Sequence, residues 1–384
     1  MATEKLYYLD SHQTEFTATV LSCLPGKHGW DVILDRTAFY PEGGGQPGDR
    51  GTLGGAAVTD THEIGGDIVH YCDRPLEPGA AVSGRIDWDW RFDLMQHHSG
   101  EHILSGLIHA ACGYDNVGFH MGKDAVTIDF NGMLDEAALA ELERKTNEII
   151  WRNEAVRIFW PEAQELARLP YRSKKELTGA VRLVEFPGAD LCACCGTHVK
   201  RTGEIGLVKI LSCIKFRDGV RMEILAGRRA MDHLTQVYGQ NRQVSGLLSA
   251  KPLETAAAAA KLQKDLGDTK YQLARLEDRL FVQQAQGYAG AGDVLLFEDG
   301  LKPDALRRLT DAIVHACGGR AAVFSRTADG YQYAMGRENG DLRAFTKAMN
   351  QALNGRGGGK PGFVQGSVKA TLEEIEAFFQ HAEC

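Results

Sequence analysis

The sequence predicts a multidomain α+β protein, and three observations carry that prediction. Short alternating apolar runs fill the first ninety residues, a long helical stretch begins near Arg91, and a Leu-rich heptad segment precedes a mixed strand and helix pattern. A chain of 384 residues is long for one core and suits two or three domains with a connector. The expected boundaries are an N-terminal β-barrel over 1–90, an α+β metal-binding domain over 91–240, a helical or coiled-coil linker over 241–285 and an α/β domain over 286–384.

The barrel reading rests on runs such as Phe16-Thr-Ala-Thr-Val20, Asp31-Val-Ile-Leu34 and Asp67-Ile-Val-His-Tyr71, which alternate at period two between Gly and Pro punctuation. Residues 92–111 then place apolar side chains at helical spacing without a proline. A second helix is expected over 135–153, with strands over 156–159, 181–185 and 206–210. Over 256–284, Leu266, Leu273 and Leu280 occupy one heptad position and Leu262 and Leu276 the other, with Thr269 in the seam. That pattern fits a dimer zipper or an intramolecular helical hairpin. In the last segment, 293–297 and 321–324 read as strands with helices between them.

Composition limits the function classes. An apolar fraction of 43% and a charged fraction of 24% indicate neither disorder nor a membrane span. A net charge of −8 argues against broad electrostatic coating of nucleic acid, so any RNA contact is local. Basic clusters at 168–175 and 200–221 read either as such a patch or as a solvated face. With 9 cysteines, scattered except for Cys192, Cys194 and Cys195, and no basic apolar leader, the expected compartment is the reducing cytoplasm, where a Cys cluster holds metal or does chemistry.

The sharpest local signal is His98-Ser-Gly-Glu-His102, because residues four apart on a helix share a face and their imidazoles can converge on one ion. Cys194-Cys-Gly-Thr-His198 supplies a thiolate and a third imidazole, completing a tetrahedral Zn2+ set of one ion per chain. Cys192 and Cys195 are competing donors, whereas His97 points about 100° away from His98 on the helix. The metalloprotease pattern is absent, because no Glu follows the first His.

Two glycine runs need separate readings. Gly43, Gly45 and Gly48 formally match a dinucleotide fingerprint, but Pro47 and Asp49 lead into another strand rather than a helix. The alternative is a turn between strands, either a bare turn or one whose Gly43, Gly44, Gly45 and Gln46 approach a substrate. In Asn354-Gly-Arg-Gly-Gly-Gly-Lys-Pro-Gly362, Pro361 stands where a phosphate loop needs a hydroxyl. That run is expected to be a helix-ending loop, either architectural or presenting Lys360 to RNA phosphate.

These pieces together resemble the alanyl-tRNA editing proteins of AlaX type in their large form, which are relatives of the alanyl-tRNA synthetase editing domain. The resemblance is carried by Arg36-Thr-Ala-Phe-Tyr-Pro-Glu-Gly-Gly-Gly-Gln-Pro-Gly-Asp49, Gln96-His-His-Ser-Gly-Glu-His-Ile103, Cys194-Cys-Gly-Thr-His-Val199, Arg201-Thr-Gly-Glu-Ile-Gly-Leu207 and the terminal glycine run. It implies His98, His102, Cys194 and His198 as zinc ligands, a synthetase-like C-terminal module and Thr37 as the group that reads a serine hydroxyl. The implied function is hydrolysis of serine from tRNA(Ala) without charging it; removal of glycine is left open. Rival readings are a zinc hydrolase of another ester and a zinc-containing tRNA-binding paralogue without catalysis. His120 stands where the synthetase editing domain resembling this one carries glutamine, and its expected role is to position water or substrate. Cys195 stands where the synthetase motif has glycine. A homodimer through 256–284 or the C-terminal domain is a further expectation.

Overall fold

The computed structural model describes residues 3–173 and 179–381, which divide into two compact units, Met1–Asn241 and Arg242–Cys384. The segments expected as separate domains over 1–90 and 91–240 lie together in the first unit.

In the first unit, β1 (Glu4–Lys5) pairs in parallel with β4 (Arg36–Thr37). Strands β2 (Glu15–Gly26), β3 (Gly29–Leu34), β5 (Gly51–Leu53), β6 (Ala56–Ile64), β7 (Asp67–Cys72) and β8 (Ala81–Ile86) hydrogen-bond in the cyclic order β2-β3-β7-β6-β5-β8, with β8 returning to β2. Period-two alternation explains the inside of this ring, because Phe16, Ala18, Val20, Val32, Leu34, Val58 and Val82 all point to one core.

Helix α1 (Trp88–Cys112) starts where Asp87 accepts a bond from the Trp90 N–H, and it ends at Gly113 in the left-handed region. It is buried along most of its length, and its polar stretch 96–102 is buried with it. Sheet β14 (Val208–Phe216), β15 (Gly219–Ala226), β10 (Val126–Phe130) and β9 (Asn116–Met121) covers one side, and α2 (Glu136–Trp151) packs on α1. A small sheet of β11 (Arg157–Phe159), β12 (Leu183–Phe186) and β13 (Asp190–Ala193) completes the surround, with the short α3 (Ala163–Leu166) between β11 and β12. Ile103, Leu104 and Ile108 of α1 meet Val126, Ile128, Met222 and Ile224 in the resulting core.

Helix α4 (Gly227–Leu248) runs past the division at Asn241. The second unit contains α5 (Thr255–Gln286), β16 (Gly292–Glu298), α6 (Pro303–Cys317), β17 (Gly318–Thr327), β18 (Gly330–Arg337), α7 (Arg343–Ala352), β19 (Arg356–Lys360), β20 (Phe363–Val368) and α8 (Leu372–His381). Its sheet runs β16-β17-β18-β20-β19, with only β16 and β17 parallel. Alternate residues of β17 feed opposite cores: Ala321 and Val323 face α6, and Ala322 and Phe324 face α7 and α8.

The glycine run at 354–362 corrects the sequence expectation of a loop. It forms the exposed edge strand β19, paired with β20 from Arg356↔Ser367 to Lys360↔Phe363. A Cβ at Gly357 would lie 2.4 Å from the Gln365 carbonyl and 2.5 Å from Tyr333 Oη, so the absence of a side chain is what admits this strand.

Among the described residues no helix is long and apolar enough to cross a membrane. The basic cluster at 168–175 lies partly outside the described residues. In the cluster at 200–221, Lys200 pairs with Asp10, Lys209 with Glu143 and Arg221 with Asp129, which removes much of its free charge.

Candidate metal centre

Helix α1 supplies the first two donors. His98 and His102 sit one turn apart, and their rings tilt at 35° with centroids 5.1 Å apart. The segment after β13 brings Cys194 and His198 onto the same point. The ligand atoms of His98, His102, Cys194 and His198 all lie within 4.8 Å of one another. His98, His102 and His198 are buried, with Phe119 stacked on His98 and Phe186 on His102.

Each imidazole is oriented from behind. His98 Nδ1–H donates to Gln46 Oε1 at 2.9 Å, and His102 Nδ1–H donates to Asp190 Oδ2 at 2.8 Å. His198 Nδ1 lies 3.5 Å from Ser99 Oγ. These contacts leave Nε2 of all three rings for the centre of the cluster, which is the arrangement by which metal-binding histidines are fixed in tautomer and direction. His198 Nε2 is buried with no hydrogen-bond partner among the described residues. An orphaned buried nitrogen facing two imidazoles and a thiol fits a metal ligand.

Asp190 is itself held, accepting from Arg172 Nε at 2.8 Å and Nη2 at 2.9 Å. Burial opposes charge on Asp190, but the His102 and Arg172 bonds keep its carboxyl below the usual range. Burial likewise opposes a thiolate at Cys194, yet the neighbouring His98 and His198 hold its thiol well below its ordinary value. Burial and the His98 charge together push His198 well down, which keeps it a neutral donor. At His102, burial opposes charge but is overcome by Asp190 and the neighbouring thiols, and the imidazole lies well above its ordinary value.

Gly196 shows how closely the loop fits. A Cβ at this position would lie 2.2 Å from His98 Cε1, so only glycine lets the chain pass the ring. Thr197 donates its N–H to Gln46 Oε1 and accepts from Gln46 Nε2, tying this loop to the turn at Gly43–Gln46. The turn itself is closed by reciprocal bonds between the Gly43 and Gln46 backbones.

The other expected site residues fall in different places. His97 donates Nδ1–H to Asp93 O and is outside the four-donor group. Cys192 comes together with His102 and Asp190 rather than with the four, and Cys195 is exposed. Thr37 is fully buried; its hydroxyl bonds to His70 Nε2 at 2.8 Å and accepts from the Phe39 N–H at 3.1 Å. Gln46 is also fully buried, and both its side-chain polar atoms are committed to His98 and Thr197. His120 is exposed on β9, and because neighbouring Phe119 stacks on His98, strand alternation turns His120 to the opposite face. The structure therefore does not bring His120 to the cluster. Lys360 is exposed on β19 of the second unit.

Family models match three stretches of the chain: tRNA synthetases class II (A) over residues 4–90, the threonyl and alanyl tRNA synthetase second additional domain over 181–221, and the DHHA1 domain over 280–383. An alanyl-tRNA editing protein AlaX-L from Pyrococcus horikoshii is 28% identical over 405 residues, covering 97% of this chain and 96% of the relative. Over nearly its whole length the chain is thus similar to an alanyl-tRNA editing protein. The editing protein Aarsd1-B of Xenopus laevis is likewise 28% identical, with 97% and 96% covered. An alanine–tRNA ligase from Ignicoccus hospitalis is 36% identical over 292 residues, and there this chain spans only 32% of the relative's length. The editing family thus matches end to end, while the ligase matches over a part of itself.

Proposed function

We propose that this chain is a trans-editing hydrolase that uses one Zn2+ to remove serine from mischarged tRNA(Ala). The observation that carries the reading is the convergence of three Nε2 atoms and one thiol, each imidazole fixed from behind, within a chain related end to end to alanyl-tRNA editing proteins. His98, His102, Cys194 and His198 would hold the ion. Bound there, zinc supplies electrostatic activation of water or of the ester carbonyl, which calls for one coordination position to open.

Selectivity is needed because an alanine pocket rejects an analogue bearing one extra hydroxyl poorly, so a second site must read that hydroxyl. Thr37 suits this task by its bonding. His70 Nδ1–H donates to the Val32 carbonyl at 2.9 Å, so Nε2 is an acceptor and takes the Thr37 proton. With its proton given to His70 and one lone pair given to Phe39, Thr37 has one lone pair left. It can only accept, which suits a serine O–H and offers nothing to an alanine methyl.

The test is deacylation of serine-charged and alanine-charged tRNA(Ala) by the purified chain, with His102→Ala alongside. Selective loss of serine that requires His102 supports the reading. The four-donor count favours one rival, a closed structural zinc in a tRNA-binding protein. Full zinc content with no deacylation would promote that rival.

A further inference from the structure

An aromatic pair stands at the mouth of the Cys194 loop, unused by the cluster. Trp160, in the segment after β11, is 47% exposed, and Tyr8 beside it is half-buried. Their rings meet edge to face, with centroids 6.3 Å apart at 74°. The Arg182 guanidinium lies against both, 5.1 Å from the Tyr8 ring centroid and 5.9 Å from that of Trp160. Arg182 is only 5% exposed. Its Nη1 donates to the Cys194 carbonyl at 2.6 Å, and the Cys194 N–H returns a bond to the Arg182 carbonyl at 3.2 Å. The platform is thereby fixed to the residue that supplies the cluster's thiol.

Two features of Arg182 bear on what the platform above it takes. Its Nε is buried with no hydrogen-bond partner, and no carboxylate forms an ion pair with it among the described residues. A desolvated cation is normally paired, so one without a carboxylate, beneath a partly exposed aromatic pair, leaves a positive field for an incoming anion. A single-stranded RNA end combines what this surface takes: a flat base for the rings and a phosphodiester for the charge.

We infer that Trp160 and Tyr8 form a stacking subsite for the terminal nucleobase of a single-stranded RNA 3′ end, with Arg182 as the positioning residue beneath them. This deepens the editing reading and rests on it for what the RNA end carries. The base on the platform sets the distance from the RNA terminus to the cluster, so that an ester on the terminal ribose is presented at Cys194 rather than searching for it.

The test uses the full chain and two uncharged RNA hairpins with a four-nucleotide single-stranded 3′ end. One ends in adenine, and in the other the terminal nucleotide is abasic. Fluorescence anisotropy should show the wild type preferring the adenine end by about tenfold, the range of a single base stacked on an aromatic side chain. Trp160→Ala should erase that preference and Trp160→Phe should keep it, with zinc content unchanged in both. A wild type that binds both hairpins equally, or a preference that survives Trp160→Ala, overturns the subsite; so does equal competition by an acidic peptide against both hairpins. A wild type that deacylates seryl-tRNA without the preference keeps the editing reading and loses the subsite. One that shows the Trp160-dependent preference without deacylating keeps the subsite and loses the editing reading.

Discussion

Asp190 accepts from one zinc-ligand candidate and two nitrogens of Arg172, so its loss acts on the ion through His102. Asp190→Asn is expected to weaken zinc affinity about 10- to 100-fold, read by competition with a chelator of known affinity, while far-ultraviolet circular dichroism stays unchanged. His70 gives a separate expectation at the same scale. Burial lowers its imidazole from 6.5 to about 4, so between those pH values the unfolded chain binds a proton that the folded one refuses. Stability from this group is complete above pH 6.5 and lost as pH falls towards 4, by about 3 kcal/mol in total. Urea unfolding at several pH values should show that loss, and His70→Asn should flatten it relative to wild type. The four donors were legible in the sequence, because spacing of four on a helix and a compact Cys-to-His segment are local patterns. Gln46, Asp190 and Ser99 were not legible as their supports, since they lie 52, 88 and 99 residues from the imidazoles they meet. A separation of that kind is fixed by tertiary packing.

Elements were easier to read than their joins. The period-two runs of β2, β3 and β7 and the helical spacing of α1 are visible in the chain because each buries one face on a contiguous core. β19 was misread because glycine carries no side chain to show periodicity, and its pairing depends on β20 and Tyr333. The join between the strand ring and α1 was also hidden. Arg91 of α1 is fully buried and binds Asp49 through Nε at 2.9 Å and through Nη2, while Nη1 reaches the Ser11 carbonyl and Nη2 the Ala38 carbonyl. Asp49 also accepts from the Tyr40 N–H, so this pair sets the glycine turn against the helix that carries His98. Arg91→Met leaves the carboxylate buried and unpaired, and should cost about 3–5 kcal/mol in denaturant unfolding. Arg91→Lys should recover only part, because one ammonium cannot span three acceptors.

For the whole molecule, the open question from the sequence was whether 256–284 zips to a second copy. Leu262, Leu266, Leu273, Leu276 and Leu280 of α5 are all more than half exposed. A leucine stripe of heptad spacing left in water is the pattern that a second helix would cover. The full chain is expected to sediment as a dimer, and Leu266→Glu with Leu273→Glu is expected to shift it to monomer without changing zinc content. Unchanged sedimentation would exclude the stripe as the seam between copies.

The cluster draws its donors from two places in the chain, and that matters during synthesis. His98 and Cys194 are 96 residues apart, so the ion, once held, pins a large loop shut. A chain leaving the ribosome exposes α1 with its row of polar side chains long before the residues that bury them exist. Strands β9 and β10 and helix α2 can cover its apolar face early, but an ion captured by His98 and His102 before Cys194 and His198 emerge would be held by only half of the four donors. If the cluster takes its ion, metal supply during translation would bear on how much of this protein matures.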